Sequence, residues 1–340
     1  MANATINSIA KETKLSTATV SRVLSGSNYP VKEETRKIIL EAAKSAGYVP
    51  NMLARSLKTK VSNEIAVIIP LIKNPFYTAF AGGIEGELSK TDFTMSLYTT
   101  EYNDSHADSL LSKLASRAVA GVIIASDSMT LDLYNALCKL NQATQVPIIT
   151  MGHKSDYNHF PGIFCDYVSG MKMAVEYLFD KGHRDIAFAF SSMNRETSKA
   201  KWVGAQAAYN ARGYTASDYF MKAANNDSIS GTLLAEVIMQ SEIKYTAIAA
   251  GNDILATGLL LGLAELKIRV PEDISVMGFN DSLYARVCYP ALTTIRMPSW
   301  AIGVQAVKML FDMLQHREMP ESVFLEPQVI ERASIREIGV

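Results

Sequence analysis

The sequence predicts an α/β protein in which an all-α helix-turn-helix head precedes a two-lobed, doubly wound parallel-sheet body. Three observations carry this reading. Two short, capped helical patterns fall within the first 24 residues, a basic charge balance is confined to the first 60, and apolar runs alternate with helical patterns from Asn63 onward. These features set the boundaries at 1–49 for the head, 50–61 for a hinge helix and linker, and 62–340 for the body.

The 340 residues are 48% hydrophobic and 20% charged, as in a globular protein able to bury a sizeable core. No run approaches the ~18 apolar residues of a membrane span, and Met1 to Thr5 lacks the basic-then-apolar character of a leader. A cytoplasmic protein with no membrane partner is expected. Cys138, Cys165 and Cys288 are odd in number, far apart and without a C-x-x-C pair, so buried reduced thiols are expected, with no metal and no cofactor. The net charge of −1 hides an asymmetry: residues 1–60 carry ten Lys or Arg against four acids, or +6, and the remainder carries −7. A basic head on an acidic body fits a chain of which only the head meets phosphates, since each neutralised phosphate releases a condensed counterion.

In the head, Thr5 is placed to cap Ile6–Glu12, where Ile6, Ile9 and Ala10 share one face. After Thr13-Lys14-Leu15, Ser16 caps a second helix through Leu24. Val20, Val23 and Leu24 face inward there, and Thr17, Ala18, Ser21 and Arg22 stay outside. Short side chains permit close approach to a major groove, and an arginine can pair bidentately with guanine O6 and N7. Lys32 to Ala46 reads as a third helix stopped by Gly47. From Pro50 to Leu57 the chain has two helical turns, too few to persist alone because nucleation is costly.

Thr5-Ile6-x-x-Ile9-Ala10, Leu15-Ser16-x-x-Thr19-Val20-Ser21-Arg22-Val23-Leu24, Glu34-Thr35-Arg36, Gly47-Tyr48-x-Pro50-Asn51 and Ala54-Arg55-x-Leu57 closely resemble the head and hinge of the lactose/galactose repressor (LacI/GalR) family. The similarity continues through nearly the whole chain. It implies a regulator that binds a pseudo-palindromic double-stranded DNA operator as a homodimer under the control of a small-molecule effector. Thr5, Ser16, Thr17, Ala18, Thr19, Ser21 and Arg22 are then the head's DNA contacts, and Asn51, Ala54, Arg55 and Leu57 those of the hinge, with Leu57 prying apart the central base step in the minor groove.

The body's candidate strands are Ile65–Ile69, Thr94–Tyr98, Gly121–Ala125, Pro147–Met151, Ile186–Phe190, Thr246–Ala250, Ser275–Phe279 and Leu292–Ile295, with helices such as Val168–Lys181 between them. The resemblance implies the periplasmic-binding-protein-like arrangement, in which the chain crosses between lobes more than once. Ligands of open α/β sheets bind beyond the carboxyl ends of strands. Past those ends the chain carries Phe76-Tyr77, Asp127, Arg195-Glu196-Thr197, Asn252-Asp253 and Asn280-Asp281: aromatics to stack, with Arg, Asn and Asp to hydrogen-bond a polyhydroxylated ring. Plainer readings stand beside these. Asp127, Asn252 and Asp253 equally fit helix caps, and Phe76 and Tyr77 equally fit core. The resemblance implies Phe76, Arg195, Lys201, Asn252 and Asn280 as effector contacts. It also marks departures, with Lys201 where arginine is usual, Asn280 where aspartate is common, and Asn226 at a position often aromatic. A sugar is the favoured effector, and a nucleobase or nucleoside the second.

The segment Ile254–Leu266 is apolar almost all round, which predicts that one face covers its sheet and the other meets a partner chain. The tail after Glu331 has no leucine heptad, so nothing predicts a tetramer. An enzyme is not expected: G-x-G-x-x-G after a strand, G-x-x-x-x-G-K-[ST], G-x-S-x-G and H-E-x-x-H are all missing, and the five histidines are scattered. Gly82-Gly83-x-x-Gly86 reads as close helix packing rather than a phosphate cradle. A transport-type sugar-binding protein would share the body but have no use for the basic head.

Overall fold

Thr5 opens the first helix with a reciprocal cap, its Oγ1 accepting the Ser8 N–H at 3.1 Å and its own N–H donating to Ser8 Oγ at 2.9 Å. In the computed structural model, which describes residues 4–24, 29–48, 62–101, 103–154, 158–216, 219–316 and 319–339, the chain divides into two units, 1–63 and 64–340.

The first unit holds α1 (Ile6–Thr13), α2 (Thr17–Leu24) and α3 (Glu33–Ser45). Lys14 makes the turn between α1 and α2 in the left-handed conformation at φ 55°, and Ser16 Oγ accepts the Thr19 N–H at 3.1 Å to start α2. Ile9, Ala10, Val20, Val23, Ile39 and Ala43 form a closed core, with Ile6 and Leu24 at its margin. Gly47, at φ 63°, ends α3: its N–H returns to Lys44 O, and that of Tyr48 to Ala43 O. Asn51, Ala54, Arg55, Leu57 and the expected hinge helix lie outside the described residues.

The second unit holds two six-stranded sheets. Lobe 1 has the order β11-β5-β4-β3-β1-β2, with β1 (Glu64–Ile69), β2 (Thr94–Thr99), β3 (Gly121–Ser126), β4 (Ile148–Gly152), β5 (Gly162–Cys165) and β11 (Val323–Leu325) all parallel. Lobe 2 has the order β12-β10-β9-β8-β6-β7, from β6 (Ile186–Phe190), β7 (Phe220–Lys222), β8 (Ala247–Ala250), β9 (Ser275–Asn280), β10 (Thr293–Arg296) and β12 (Gln328–Ile330), with β12 antiparallel to β10. The chain therefore crosses between lobes three times: after Cys165, after Arg296 and after Leu325. All eight predicted strands are present. The four not predicted are three or four residues long, too short for an alternating pattern, and three of them lie at sheet edges.

Helices cover both faces of each sheet: α4 (Pro75–Leu88), α5 (Asp104–Arg117), α6 (Leu131–Thr144) and α12 (Ser299–His316) in lobe 1, and α7 (Tyr167–Asp180), α8 (Glu196–Asn210), α9 (Ser228–Met239), α10 (Asp253–Glu265) and α11 (Leu283–Val287) in lobe 2. Packing between α4 and α12 explains the glycine cluster. A Cβ on Gly83 would stand 2.2 Å from Trp300 O, and Gly82 and Gly86 lie under the Trp300 ring. Among the described residues no helix is long and apolar enough to cross a membrane.

One expectation is corrected. The second apolar face of α10 is covered by α9 of the same lobe rather than by a partner. A Cβ on Gly258 would meet Ser228 O at 2.0 Å, so the two helices touch backbone to backbone, and Leu255, Leu259 and Leu263 are buried with Leu234, Ala235 and Ile238. The apolar residues left outside are Ile229, Leu233 and Val237 on α9, with Leu261 on α10. Of the cysteines only Cys165 is fully buried; Cys138 and Cys288 are half-buried, and all three are free thiols.

Candidate functional site

The carboxyl ends of both sheets meet in a cleft, and its centre is Asp127, just past β3. The carboxylate divides its oxygens. Oδ1 accepts from Tyr77 Oη at 2.5 Å within lobe 1, and Oδ2 pairs with Arg195 Nη1 of lobe 2 at 3.2 Å. Arg195 is the N-cap of α8 and makes no side-chain cap there; the first amides of α8 are satisfied from the opposite lobe instead. Glu196 N–H donates to Ser128 Oγ at 2.9 Å and Thr197 N–H to Asp127 O at 3.3 Å. Asp127 is not itself a cap, since Thr130 starts α6 by accepting the Leu133 N–H.

Inside this closure Phe76, Tyr77, Asp127, Thr197, Lys201, Asn226, Asn252 and Asn280 line one cavity, with about 30 Å³ of free volume between them. Phe76 and Tyr77 meet edge to face at 5.4 Å and are both 4% exposed, so they are core and cleft wall at once. Asn252 is likewise both things: its Oδ1 caps α10 through the Leu255 N–H at 2.8 Å, and it lines the cavity. Lys201 is 8% exposed; Nζ donates to Gly251 O at 2.7 Å and lies 4.3 Å from the centre of the Phe279 ring. Burial lowers its pKa to about 8, against the opposing pull of Asp127 and Asp253.

Of the residues grouped with the cleft in the sequence, Asp253, Arg195 and Asp281 are placed elsewhere. Asp253 is outside the lining; its Oδ1 accepts from Thr294 Oγ1 and its Oδ2 from the Ser282 N–H, both at 2.6 Å, and burial pushes its carboxyl up to about 6. Arg195 borders an adjoining chamber rather than the inner cavity. Asp281, next to the cavity-lining Asn280, turns to Arg286, Arg296 and Arg332. Burial raises its pKa, but the hydrogen bonds from Arg332 and Arg296 outweigh that and hold it below the usual carboxylate range. Both residues have positive φ, 111° for Asn280 and 55° for Asp281, and such backbone strain gathers at binding sites. Asn74, Tyr167, Phe190, Ser191 and Ser198 also line the cavity and were not among the residues expected there. Ser191 directly follows a β-strand run and Asn74 precedes a proline-started helix, signals that could have found them; Tyr167 and Ser198 carry no comparable mark.

In the head, Ser16, Thr17, Ala18 and Arg22 are exposed at the start and outer face of α2, and Thr19 and Ser21 are both half-buried. The Arg22 guanidinium lies 4.0 Å from the centre of the Tyr29 ring.

Residues 5–51 match the lacI family of bacterial regulatory proteins, and residues 175–335 match the periplasmic binding protein-like domain. Catabolite control protein A of Priestia megaterium is 31% identical over 97% of this chain and 98% of its own length. The chain belongs to the LacI family. As a LacI-family member it is a DNA-binding transcription regulator. The transcriptional repressor PurR of Pectobacterium atrosepticum is 30% identical, over 98% of this chain and 97% of its own. Among solved structures, a LacI-family regulator from Enterococcus faecium with bound ribose has a TM-score of 0.73 at 26% identity, covering 81% of this chain and 100% of that one.

Proposed function

We propose that this LacI-family protein is a repressor that binds a pseudo-palindromic operator as a homodimer and answers to a neutral, polyhydroxylated effector, a sugar, held in the interlobe cleft. The observation that carries the effector reading is the composition of the cavity wall. Four asparagines, Asn74, Asn226, Asn252 and Asn280, with Thr197, Ser191 and Ser198, offer paired donors and acceptors beside the aromatic faces of Phe76, Tyr77 and Tyr167. Such a wall satisfies ring hydroxyls through many short-range bonds and stacks the apolar face of a pyranose or furanose. The relative with bound ribose supports the same class.

The homodimer reading is supported by the exposed Ile229, Leu233 and Val237, spaced four apart along one face of α9, and by the exposed Leu261 on α10, apolar surface that a second copy would cover. The operator reading is supported by the basic charge of residues 1–60 and by the exposed polar start of α2. A thermal-shift screen of the full-length protein against sugars and nucleosides tests the proposal, with operator binding then measured with and without each hit. A sugar that raises the melting temperature by mass action and also changes operator affinity is the expected result. A panel in which only nucleosides do both would overturn the sugar assignment.

A further inference from the structure

Four helices begin at the inner cavity. Asn74 and Asn252, which line it, are the N-caps of α4 and α10; Tyr167 is the first residue of α7, and Thr197 and Ser198 lie in the first turn of α8. None of these helices is shorter than 13 residues, so four positive dipole ends converge on one small space. The caps also decide what the wall offers. Asn74 Oδ1 is taken by the Phe76 N–H at 3.0 Å and Asn252 Oδ1 by the Leu255 N–H at 2.8 Å, which leaves the NH2 group of each as the uncommitted end.

Two buried side chains add to this surplus of donors. Lys201 Nζ donates to Gly251 O and keeps its other N–H groups uncommitted; its further neighbours are the uncharged rings of Phe279 and Tyr167, at 4.3 and 5.2 Å. The two carboxylates whose fields reach it are engaged elsewhere, Asp127 by Tyr77 and Arg195, and Asp253 by Thr294 and Ser282. Ser191, 3% exposed, lines the same cavity, and its Oγ has no hydrogen-bond partner among the described residues. Water would satisfy these donors but leave the ammonium charge unneutralised; an anion does both. One water needs ~10–15 Å³, so the cavity's 30 Å³ admits a halide but no sugar ring while the lobes are closed.

We propose that the inner cavity is a binding site for a compact monovalent anion, a halide, held by Lys201, Ser191 and the NH2 groups of Asn74 and Asn252. Asn74 belongs to lobe 1 and the other three to lobe 2, so the bound halide draws the lobes together. The site goes beyond the sugar reading and does not rest on it. An effector that uses the same donors has to displace the halide, which makes the two ligands competitors.

The experiment is thermal melting of the full-length protein in sodium chloride, bromide, methanesulfonate and glucuronate at constant ionic strength, with the chlorine NMR line width as a direct measure of binding. The expected result is a saturable rise of a few degrees in chloride and bromide but not in the bulkier methanesulfonate, and a broadened chloride line that bromide narrows again. Lys201→Met should abolish both effects, and Ser191→Ala, which removes one donor, should weaken chloride binding several-fold. The site is refuted by equal melting in chloride and methanesulfonate, or by a halide effect undiminished in a folded Lys201→Met or Ser191→Ala. Should neither variant fold, an unbroadened chloride line with wild type refutes it. A rise in glucuronate alone would assign the donors to a carboxylated ligand and equally overturn the halide. Neutral sugars are then tested in methanesulfonate, so the sugar reading stands or falls separately.

Discussion

Asp127 and Arg195 lie in different lobes and form an ion pair at 3.2 Å, with side chains 16% and 23% exposed, so one contact both closes the cleft and separates its chambers. A partly buried pair of this kind is worth more than a surface pair, because water screens it less. Arg195→Ala is therefore expected to abolish the operator response to effector while leaving operator affinity without effector nearly unchanged. Asp127→Asn, which keeps the Tyr77 contact but loses the charge, should weaken the response by less. Retention of the full response in Arg195→Ala, measured by operator titration with and without effector, would show that closure does not depend on this pair.

Lys201 gives the cleft a pH dependence whose direction can be worked out. Its pKa is about 8 in the folded protein, against an ordinary value of 10.5. Between those values the unfolded chain holds a proton that the folded one has released, so this residue's contribution to stability rises with pH across that window. Wild type should gain stability relative to Lys201→Met as the pH is raised from ~8 to ~10, and effector affinity should fall over the same range as the ammonium donor is lost. In Lys201→Arg, which stays charged, affinity should be flat with pH. A parallel fall in Lys201→Arg would assign the titration to another group.

Arg22 stands exposed on α2, stacked on Tyr29 and held away from the head's core. Arg22→Ala should cost ~1–3 kcal/mol of operator binding and relax base preference at one position in each half-site. Operator selection that returns the same base preference with the variant would leave Arg22 as a phosphate contact only.

The hinge proposal concerns Leu57, in a segment too short to hold a helix without support. If it folds on DNA and wedges a base step, Leu57→Ala should leave the melting of the free protein near normal, weaken specific binding and reduce operator bending. An undiminished bend in a fluorescence-transfer assay rules the wedge out.

Leu233, 64% exposed at the centre of the α9 stripe, tests the dimer. Leu233→Asp should shift the protein to a monomer in sedimentation velocity and lower operator affinity, since each half-site alone gains less binding energy. A variant that still sediments as a dimer moves the interface elsewhere.

The helix-turn-helix, the basic head, the eight main strands and the class of cleft were legible in the sequence because each rests on local information. Caps such as Thr5 and Ser16, the stop at Gly47 and runs such as Ile186–Phe190 act over a few residues, and the packing they require is the same wherever the segment sits. Residues at strand ends pointed to the cleft for a similar reason, since sheet topology puts all those ends on one side.

Tertiary structure decided what a side chain does once it arrives there. Asn252 and Asp253 are adjacent and read alike, yet one caps a helix while lining the cavity and the other is taken up by Thr294 and Ser282. The all-round apolar character of α10 states that both faces are buried, but not that α9 rather than a partner covers the second; Gly258 settles that only when the two backbones are seen in contact. The Asp127–Arg195 pair joins residues 68 positions apart across two lobes, and no local pattern encodes such a meeting. Side-chain direction and long-range pairing depend on where three crossings of the chain bring the sheets, a property of the whole fold and of none of its segments.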